Sequence, residues 1–211
     1  MSRCCQNLSG ILVILALTGC GNGSNSSSDD EDSQDSPDTE KIVFVSSETY
    51  SGNMGGNAGA DANCQRLADA ALLDGTFKAC VSSVAEEPAT SFSQSTVPYV
   101  LVDGTVIADD WIGLTDGSID NPINLDENGN PGPATDNLGG FGFTTVVHTG
   151  TSESGFATNP SVQTCSDWTS DLGGSTWGLY ERAAFGWSAS IFGGAPANLC
   201  GLQATIYCFE Q

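Results

Sequence analysis

Residues that commonly carry out chemistry are sparse in this sequence. The 211 residues include a single histidine, His148, which excludes a metal site needing two or more imidazoles from one chain. Ser152, Glu153 and Ser154 follow closely, but nearness in sequence does not establish a catalytic geometry. The chain lacks a Gly-x-Ser-x-Gly elbow, a Cys-x-x-Cys pair, a P-loop and a dinucleotide fingerprint. We interpret His148 as a surface loop residue and predict that the protein is not an enzyme.

Adjacent carboxylates offer no better acid–base pair. Asp109–Asp110 and Glu86–Glu87 are neighbours in the sequence. On a strand, adjacent side chains point to opposite faces, so neither pair could share a proton across a cleft.

Side-chain oxygens are frequent in a Gly-, Asn- and Pro-rich stretch at residues 115–164, and oxygens are the ligands that Ca²⁺ prefers. The stretch lacks the Gly and Glu register of an EF-hand, and Asp and Asn are also ordinary turn residues. We expect no bound cofactor, with calcium as the open alternative. The weak metal candidates are Asp116, Asp120, Asn124, Asp126, Asn128 and Asn130.

The charge balance is strongly acidic. The chain has 26 Asp and Glu against 5 Lys and Arg, for a formal net charge of −21. Nothing in it could neutralise several phosphates, which argues against a nucleic-acid partner. The imbalance persists in residues 41–211, which hold 19 acidic and four basic residues.

The first forty residues predict an export signal followed by a tether. Residues 1–19 combine a positive start with an apolar stretch too short to span a bilayer, as in a signal peptide. The run Leu17-Thr18-Gly19-Cys20 resembles a bacterial lipobox, which makes Cys20 the lipidated first residue of the mature protein. Residues 20–40 are acidic and polar, so we expect a disordered tether. The predicted location is the outer membrane or cell surface of a Gram-negative bacterium, reached by export and held by lipid.

Residues 41–211 predict one α+β domain. We expect a helix over residues 61–73, because apolar residues recur there at helical spacing. An Asp103-Gly104 turn between two β-branched runs predicts a hairpin. The predicted helix stripe is Cys64, Leu67, Ala68, Ala71 and Leu72, and the predicted strands are residues 41–46, 76–82, 99–102, 105–108, 183–190 and 204–209.

Five cysteines lie in the predicted domain, and export favours disulfides. Because five is odd, one thiol remains. The sequence alone leaves the pairing open. The five are Cys64, Cys80, Cys165, Cys200 and Cys208.

Several of these residues carry a family resemblance. The run from Cys200 to Cys208, followed by Phe209-Glu210, resembles the closing signature of C-type-lectin-like domains, and Trp111-Ile112-Gly113-Leu114 resembles a central strand motif of that fold. In order and content, residues 41–211 resemble the leptospiral endostatin-like lipoproteins. The resemblance implies an endostatin-like fold of short, mostly antiparallel strands, one main helix and long loops. It also implies disulfides Cys64–Cys208 and Cys165–Cys200, with Cys80 as a free, buried thiol.

The sequence departs from the sugar-binding members of the lectin family. They use Glu-Pro-Asn or Gln-Pro-Asp in the long loop and Trp-Asn-Asp before the third cysteine. This chain has Asp120-Asn121-Pro122-Ile123 and Trp187-Ser188-Ala189 instead. Formylglycine-generating enzymes share the fold and use a reactive cysteine, for which Cys80 is the candidate.

The resemblance also bears on function, because the leptospiral relatives are implicated in binding host matrix and complement-regulator proteins. We therefore expect a non-enzymatic binding or adhesion module that uses its long-loop face, with an extracellular protein as ligand. The alternatives are a calcium-assisted glycan binder and a formylglycine-generating type of enzyme. We expect Trp111 and Trp168 in the core, while Trp177 and Trp187 belong either to the core or to a binding face.

Overall fold

A five-stranded mixed sheet lies at the centre of the fold. The computed structural model describes residues 39–137, 142–159, 164–189 and 199–211, which belong to one compact unit, Ser36–Gln211. The predicted signal peptide, Cys20 and nearly all of the tether lie outside the described residues.

The helices and strands are short apart from one helix. The strands are β1 (Lys41–Val45), β2 (Phe77–Ala79), β3 (Tyr99–Val100), β4 (Val106–Ala108), β5 (Val146–His148), β6 (Trp177–Leu179) and β7 (Tyr207–Glu210). The helices are α1 (Gly56–Ala70), α2 (Pro88–Ser91) and α3 (Trp111–Leu114), and a 3₁₀ turn spans Leu199–Gly201. This content confirms the predicted α+β class. No helix in the described part of the chain is both long and apolar enough to cross a membrane.

The sheet brings the first and last strands of the unit together. Its order is β2-β7-β1-β3-β4, and β5 and β6 form a separate two-stranded sheet. β1 pairs antiparallel with β7, with Phe44 opposite Cys208, and parallel with β3. The hairpin predicted around Asp103-Gly104 is present as the antiparallel pair β3–β4, and Gly104 has the positive φ (85°) that its turn requires.

Both faces of the sheet are covered. Side chains alternate along a strand, so Val43 and Val45 of β1 pack into one apolar cluster and Phe44 into another. We call the side of Phe44 the helix face, since α1 packs there, and the side of Val43 the loop face. Burial on both sides explains why β1 and β7 have continuous apolar runs rather than alternating ones.

Helix α1 confirms part of the predicted stripe. Its buried residues are Ala60, Cys64, Leu67 and Ala68. It begins at Gly56 instead of residue 61, and no side chain caps it. Asp61 lies inside the helix, where its Oδ1 accepts a hydrogen bond from the Ala79 amide (2.8 Å). The helix ends at Ala70, so Leu72 is 88 % exposed, contrary to prediction.

Two disulfides cross the helix face, as predicted. Cys64 of α1 joins Cys208 of β7, with 5.4 Å between their Cα atoms, and Cys165 joins Cys200 at 5.5 Å. Cys80 is buried and forms no disulfide.

A left-handed turn, Cys165–Trp168, carries the second disulfide. Its four residues all have positive φ, between 51° and 61°, which costs about 1–2 kcal/mol per residue for L-amino acids. The fully buried Trp168 holds the turn through a hydrogen bond from its indole Nε1 to the Ser82 carbonyl (2.8 Å). Backbone amides of Met54 and Gly55 also donate to the Trp168 carbonyl.

Two expected strands are corrected. Trp111–Leu114 is the helical turn α3, because the Asp110 side chain accepts a hydrogen bond from the Gly113 amide (2.8 Å) and so caps a helix. Residues 183–189 form turns and bends, while the strand lies earlier, at β6. Residue 190 lies outside the described residues.

The long Gly- and Asn-rich stretch is anchored where it is described. Ile119 and Ile123 are buried in the loop-face cluster. The Tyr180 hydroxyl donates to the carbonyls of Gly132 (3.0 Å) and Pro133 (2.8 Å). The stretch therefore covers the sheet instead of extending away from it.

Candidate functional site

A small pocket opens on the loop face where α3, the loop at residues 151–157 and the segment around Trp187 meet. Its buried floor includes Cys80, Leu114 and Phe209, while the half-buried Trp111 and Glu153 form part of its edge. The free volume is about 10 Å³ for a water-sized sphere, which corresponds to about one water molecule. The pocket is thus sized for the tip of a side chain or a small polar group.

Helix α3 fixes Trp111 at the edge of the pocket. The Trp111 amide donates to the Ser95 carbonyl (2.9 Å), and the Thr115 hydroxyl donates to the Trp111 carbonyl (2.8 Å). The ring packs edge-on to Phe92, with 6.2 Å between centroids. Together with the Asp110 cap, these contacts hold the indole in one position.

The loop at residues 151–157 packs against that indole. It closes as a narrow turn, with the Ser152 amide donating to the Phe156 carbonyl (2.8 Å). Gly155 has φ 78°, and a Cβ there would lie 3.3 Å from Cζ2 of Trp111. Glycine is therefore needed both for the backbone conformation and for the close approach.

Glu153 is the single carboxylate that lines the pocket. Its Oε1 accepts a hydrogen bond from the Gly186 amide at 3.4 Å. Trp187 contributes a second polar group to the lining residues: its buried Nε1 is the one buried side-chain polar atom without a hydrogen-bond partner in the described part of the chain. An unsatisfied buried donor is uncommon in folded proteins.

Three exposed apolar residues lie within two positions, in sequence, of residues that line the pocket. Ile112 (74 % exposed), Phe156 (50 %) and Phe185 (70 %) lie next in sequence to Trp111, Gly155 and Gly186, respectively. We call Ile112, Phe156 and Phe185 the apolar rim. Exposed large apolar side chains are candidates for burial against a partner.

Cys80 lies at the floor of the pocket, but its thiol is not in the reactive thiolate form. Burial raises the pKa of its thiol to about 12. At neutral pH it therefore stays protonated, whereas nucleophilic cysteines act as thiolates.

His148 corrects an expectation. It is a fully buried residue of β5, where burial lowers the pKa of its imidazole to about 4. Its ring nitrogens contact the Leu202 carbonyl (3.3 Å) and the Ser175 hydroxyl (3.4 Å). The β-branched run that precedes it at residues 144–147 is a strand signal that could have placed it correctly.

The predicted calcium ligands have other partners or stand alone. Oδ1 of Asp126 accepts hydrogen bonds from the amides of Asn128 (2.9 Å) and Asn130 (2.8 Å), which is a turn-forming arrangement. Asp116 accepts from the Ser118 amide (3.2 Å), and Asp120 is exposed. Within the described ranges, no group of three or more His, Cys, Asp or Glu side chains is placed to hold a metal.

The adjacent carboxylates are likewise separate. Asp110 caps α3, while Glu86 forms an ion pair with Lys78 (3.4 Å). Oε2 of Glu87 accepts a hydrogen bond from the Ala157 amide (2.9 Å) and so supports the base of the pocket loop.

The buried and the half-buried tryptophans are not the ones that the sequence predicted. Trp168 is in the core as expected, and Trp177 and Trp187 are also buried. Trp111, expected in the core, is half-buried and forms the edge of the pocket.

The site thus combines an aromatic edge, an apolar surround and one carboxylate. Among the described residues, the Ser152 hydroxyl donates to the Phe156 carbonyl (2.9 Å) and the Glu153 carboxylate accepts from the Gly186 amide (3.4 Å), so the structure shows no hydrogen bond between these two side chains. A scan with protein-family models gives no match, and no curated protein shows significant similarity to the chain.

Proposed function

We propose that the protein is an exported, lipid-anchored binding module that engages an extracellular protein through the pocket and apolar rim. The observation that carries this proposal is the exposure of three large apolar side chains, Ile112, Phe156 and Phe185, each within two positions in sequence of a residue that lines the pocket. Exposing large apolar side chains has no benefit for the folded monomer, whereas burying them against a partner is favourable.

The long loop contributes to this surface, since Phe156 and Glu153 belong to residues 115–164. Two other features support an endostatin-like, C-type-lectin-like fold: the central pairing of β1 with β7, and the bridge from the main helix to the last strand. The same resemblance makes matrix and complement-regulator proteins the first ligands to test.

A protein ligand is favoured over a calcium-assisted glycan. A calcium site needs six to eight oxygen ligands, yet Asp126 already bonds the amides of its own loop. The rim is apolar, whereas sugar hydroxyls need several directed polar partners. The protonated Cys80 thiol likewise argues against a formylglycine-generating type of enzyme.

Binding can be tested with the full-length lipoprotein in mild detergent, against immobilised matrix proteins and complement regulators. We expect at least one saturable interaction that the double variant Ile112→Ser/Phe185→Ser weakens tenfold or more. The matched control is Leu72→Ser/Leu172→Ser, because those residues are 88 % and 72 % exposed but line no part of the pocket. Equal losses in both double variants, or glycan binding that requires calcium, would contradict the proposal.

The anchor is tested separately. Wild-type chain should fractionate with membranes and incorporate labelled fatty acid, whereas Cys20→Ser should do neither. Membrane retention of that variant would argue against lipidation at Cys20.

A further inference from the structure

We propose that the Cys165–Cys200 disulfide controls the position of the loop at residues 151–157 through Trp168, and that reduction of this one bridge releases the loop while the central sheet stays folded. The inference names a regulation of the proposed binding face, so its consequence for binding rests on the proposed function. Two observations carry it: the contacts of the Trp168 indole, and the left-handed turn that holds this indole in place.

The Trp168 indole packs against the backbone from which the loop departs. A Cβ on Gly150 would lie 3.0 Å from Cζ2 of Trp168 and 2.9 Å from the Ser82 carbonyl oxygen, which accepts the hydrogen bond of the indole Nε1. Gly150 has φ 63°, so glycine is needed there both for the conformation and for the close contact. The indole therefore fixes the residue that precedes the loop.

Hydrogen bonds connect the same indole to the loop. Ser82, whose carbonyl accepts from Trp168, shares a hydrogen bond between its hydroxyl and that of Thr151 (2.8 Å). The Ser82 amide donates to the Thr149 carbonyl (2.8 Å). Thr151 lines the pocket, and its carbonyl accepts a hydrogen bond from the Ser188 hydroxyl (2.9 Å). A shift of Trp168 therefore alters the contacts that hold the first residue of the loop.

The disulfide holds Trp168 by holding its turn. All four residues from Cys165 to Trp168 have positive φ, a conformation that L-residues keep only where the surrounding structure enforces it. Cys165 is bridged to Cys200, whose carbonyl accepts a hydrogen bond from the Gly52 amide (2.6 Å). A Cβ on Gly52 would overlap Sγ of Cys165, so the bridge is packed tightly in place. Without the bridge, the four left-handed residues favour a different turn, which moves Trp168.

The other disulfide lies in more regular structure. Cys64 belongs to the 15-residue helix α1, and Cys208 belongs to β7, which has a strand on each side. Cys165 and Cys200 belong to a four-residue left-handed turn and a three-residue 3₁₀ turn. All four cysteines are buried, so a reductant reaches either bridge only after local opening. Opening costs less in short irregular segments than in a central strand, so the Cys165–Cys200 bridge opens first.

The chemical step is thiol–disulfide exchange with a dithiol. One thiolate of the dithiol attacks a sulfur of the Cys165–Cys200 bridge, the protein S–S bond breaks, and the second thiol of the reductant closes its own disulfide. Two electrons and two protons pass to the protein, which ends with two thiols, and the dithiol is oxidised. A dithiol oxidoreductase is the class of reductant implied, and dithiothreitol is the probe for the test.

The first measurement identifies the bridge that opens. Full-length lipoprotein in mild detergent is treated with graded dithiothreitol, thiols are blocked with N-ethylmaleimide, and the modified cysteines are identified by peptide mass spectrometry. We expect Cys165 and Cys200 to be modified about tenfold faster than Cys64 and Cys208. Modification of all four at the same rate, or of Cys64 and Cys208 first, would overturn the inference.

Hydrogen exchange then measures what the open bridge does to the loop. In the selectively reduced protein, amides in residues 149–158 should exchange about tenfold faster than in the oxidised protein, while those of β1 and β7 should change less than about twofold. Trp168→Phe, with both bridges intact, keeps an aromatic ring but removes the hydrogen bond to Ser82, and it should accelerate exchange in the same segment about threefold.

The matched control is Phe77→Leu, which alters a buried aromatic residue of the same apolar cluster that packs on Phe44. It should not accelerate exchange in residues 149–158 more than in β1. Unchanged exchange in residues 149–158 of either the reduced protein or Trp168→Phe would show that the bridge does not control the loop. An equal response to Phe77→Leu would show the same.

This inference and the proposed function can fail separately, because neither measurement needs a ligand. If the loop responds to reduction but no extracellular protein binds, control of the loop by the disulfide stands and the proposed function is wrong. If an extracellular protein binds equally well to the oxidised and the selectively reduced lipoprotein, and exchange of the loop is unchanged, the binding face stands and this inference is wrong.

Discussion

The two faces of the central sheet are reinforced in different ways. The helix face has α1 and both disulfides, with Phe44, Cys208 and the buried Trp168 packed together. The loop face has short strands, irregular segments and a cysteine that is not cross-linked, and it holds the pocket. If the proposed function is right, stability and recognition are concentrated on opposite sides of β1. Because two disulfides stabilise the helix face, the loop face can expose apolar residues while the domain stays folded.

The largest test of this difference removes the outer disulfide. Replacing Cys64 and Cys208 by alanine should lower the free energy of unfolding by up to about 5 kcal/mol, because the bridge spans 144 residues. Removing Cys165–Cys200, which spans 35 residues, should cost about 4 kcal/mol. Denaturant unfolding of the oxidised variants measures both. Cys80→Ala is the matched control and should cost less than either pair, so an equal cost would break the contrast between the faces.

Lowering the pH should reduce the free energy of unfolding through the buried His148, whose ring packs edge-on to Trp168. The folded-state pKa is about 4, below the ordinary 6.5, so the unfolded chain binds the proton first. The stability that depends on a neutral His148 is fully present above pH 6.5. As the pH falls towards 4, it decreases by about 3 kcal/mol in total. Unfolding free energies of wild type and His148→Gln between pH 4 and 7 measure it. Parallel curves for the two proteins would contradict the prediction.

The left-handed turn offers a smaller effect of opposite sign. Ser166 is exposed and has φ 53°, a conformation that glycine adopts without the Cβ penalty. Ser166→Gly should raise the free energy of unfolding by up to about 1 kcal/mol, less the extra entropy of a glycine in the unfolded chain. Ser152→Gly, at a position without positive φ, is the control and should not stabilise. A melting temperature that falls in Ser166→Gly would argue against strain in the turn.

The smallest effects on stability should come from the loop face. Ile112→Ser/Phe185→Ser should change the free energy of unfolding by less than about 0.5 kcal/mol, because both side chains are largely exposed. A cost above 1 kcal/mol would mean that the rim serves the fold, and its loss of binding could not be assigned to recognition.

Calcium should leave the melting temperature unchanged. Asp126 is already bonded to its own loop, so we expect midpoints within 1 °C in calcium and in chelator. A rise of several degrees in calcium would indicate a bound ion and would revive the lectin alternative.

Features fixed by local pattern could be read from the sequence. The hairpin at Asp103-Gly104 and the stripe Cys64, Leu67 and Ala68 follow from turn chemistry and helical spacing, and the structure confirms them. The disulfide pairing depended on a resemblance to a family, because spacing alone left several pairings open. The start of α1 could not be predicted, because Asp61 lies in the middle of the helix. Its side chain accepts a hydrogen bond from β2 instead of capping the helix.

The site was harder to predict because it depends on contacts far apart in the chain. Trp111, Glu153 and Trp187 meet only after the long loop folds over the sheet, and nothing in their spacing brings them together. His148 was placed wrongly because its burial needs Ser175 and Leu202, which are distant in sequence. Trp111–Leu114 became a helical turn through one Asp110 hydrogen bond, which an apolar motif does not reveal.

The position of β1 has a mechanical consequence. Tension entering at Lys41 from a preceding tether would run along a strand that is hydrogen-bonded on both sides, to β7 and to β3. Such a load would act first on the pairing of Lys41 and Ile42 with β3 and then on the pairing of Val43–Val45 with β7. Since Cys208 ties β7 to α1, that neighbour cannot peel away from the helix either. The domain should therefore resist a pulling force that is applied at Lys41.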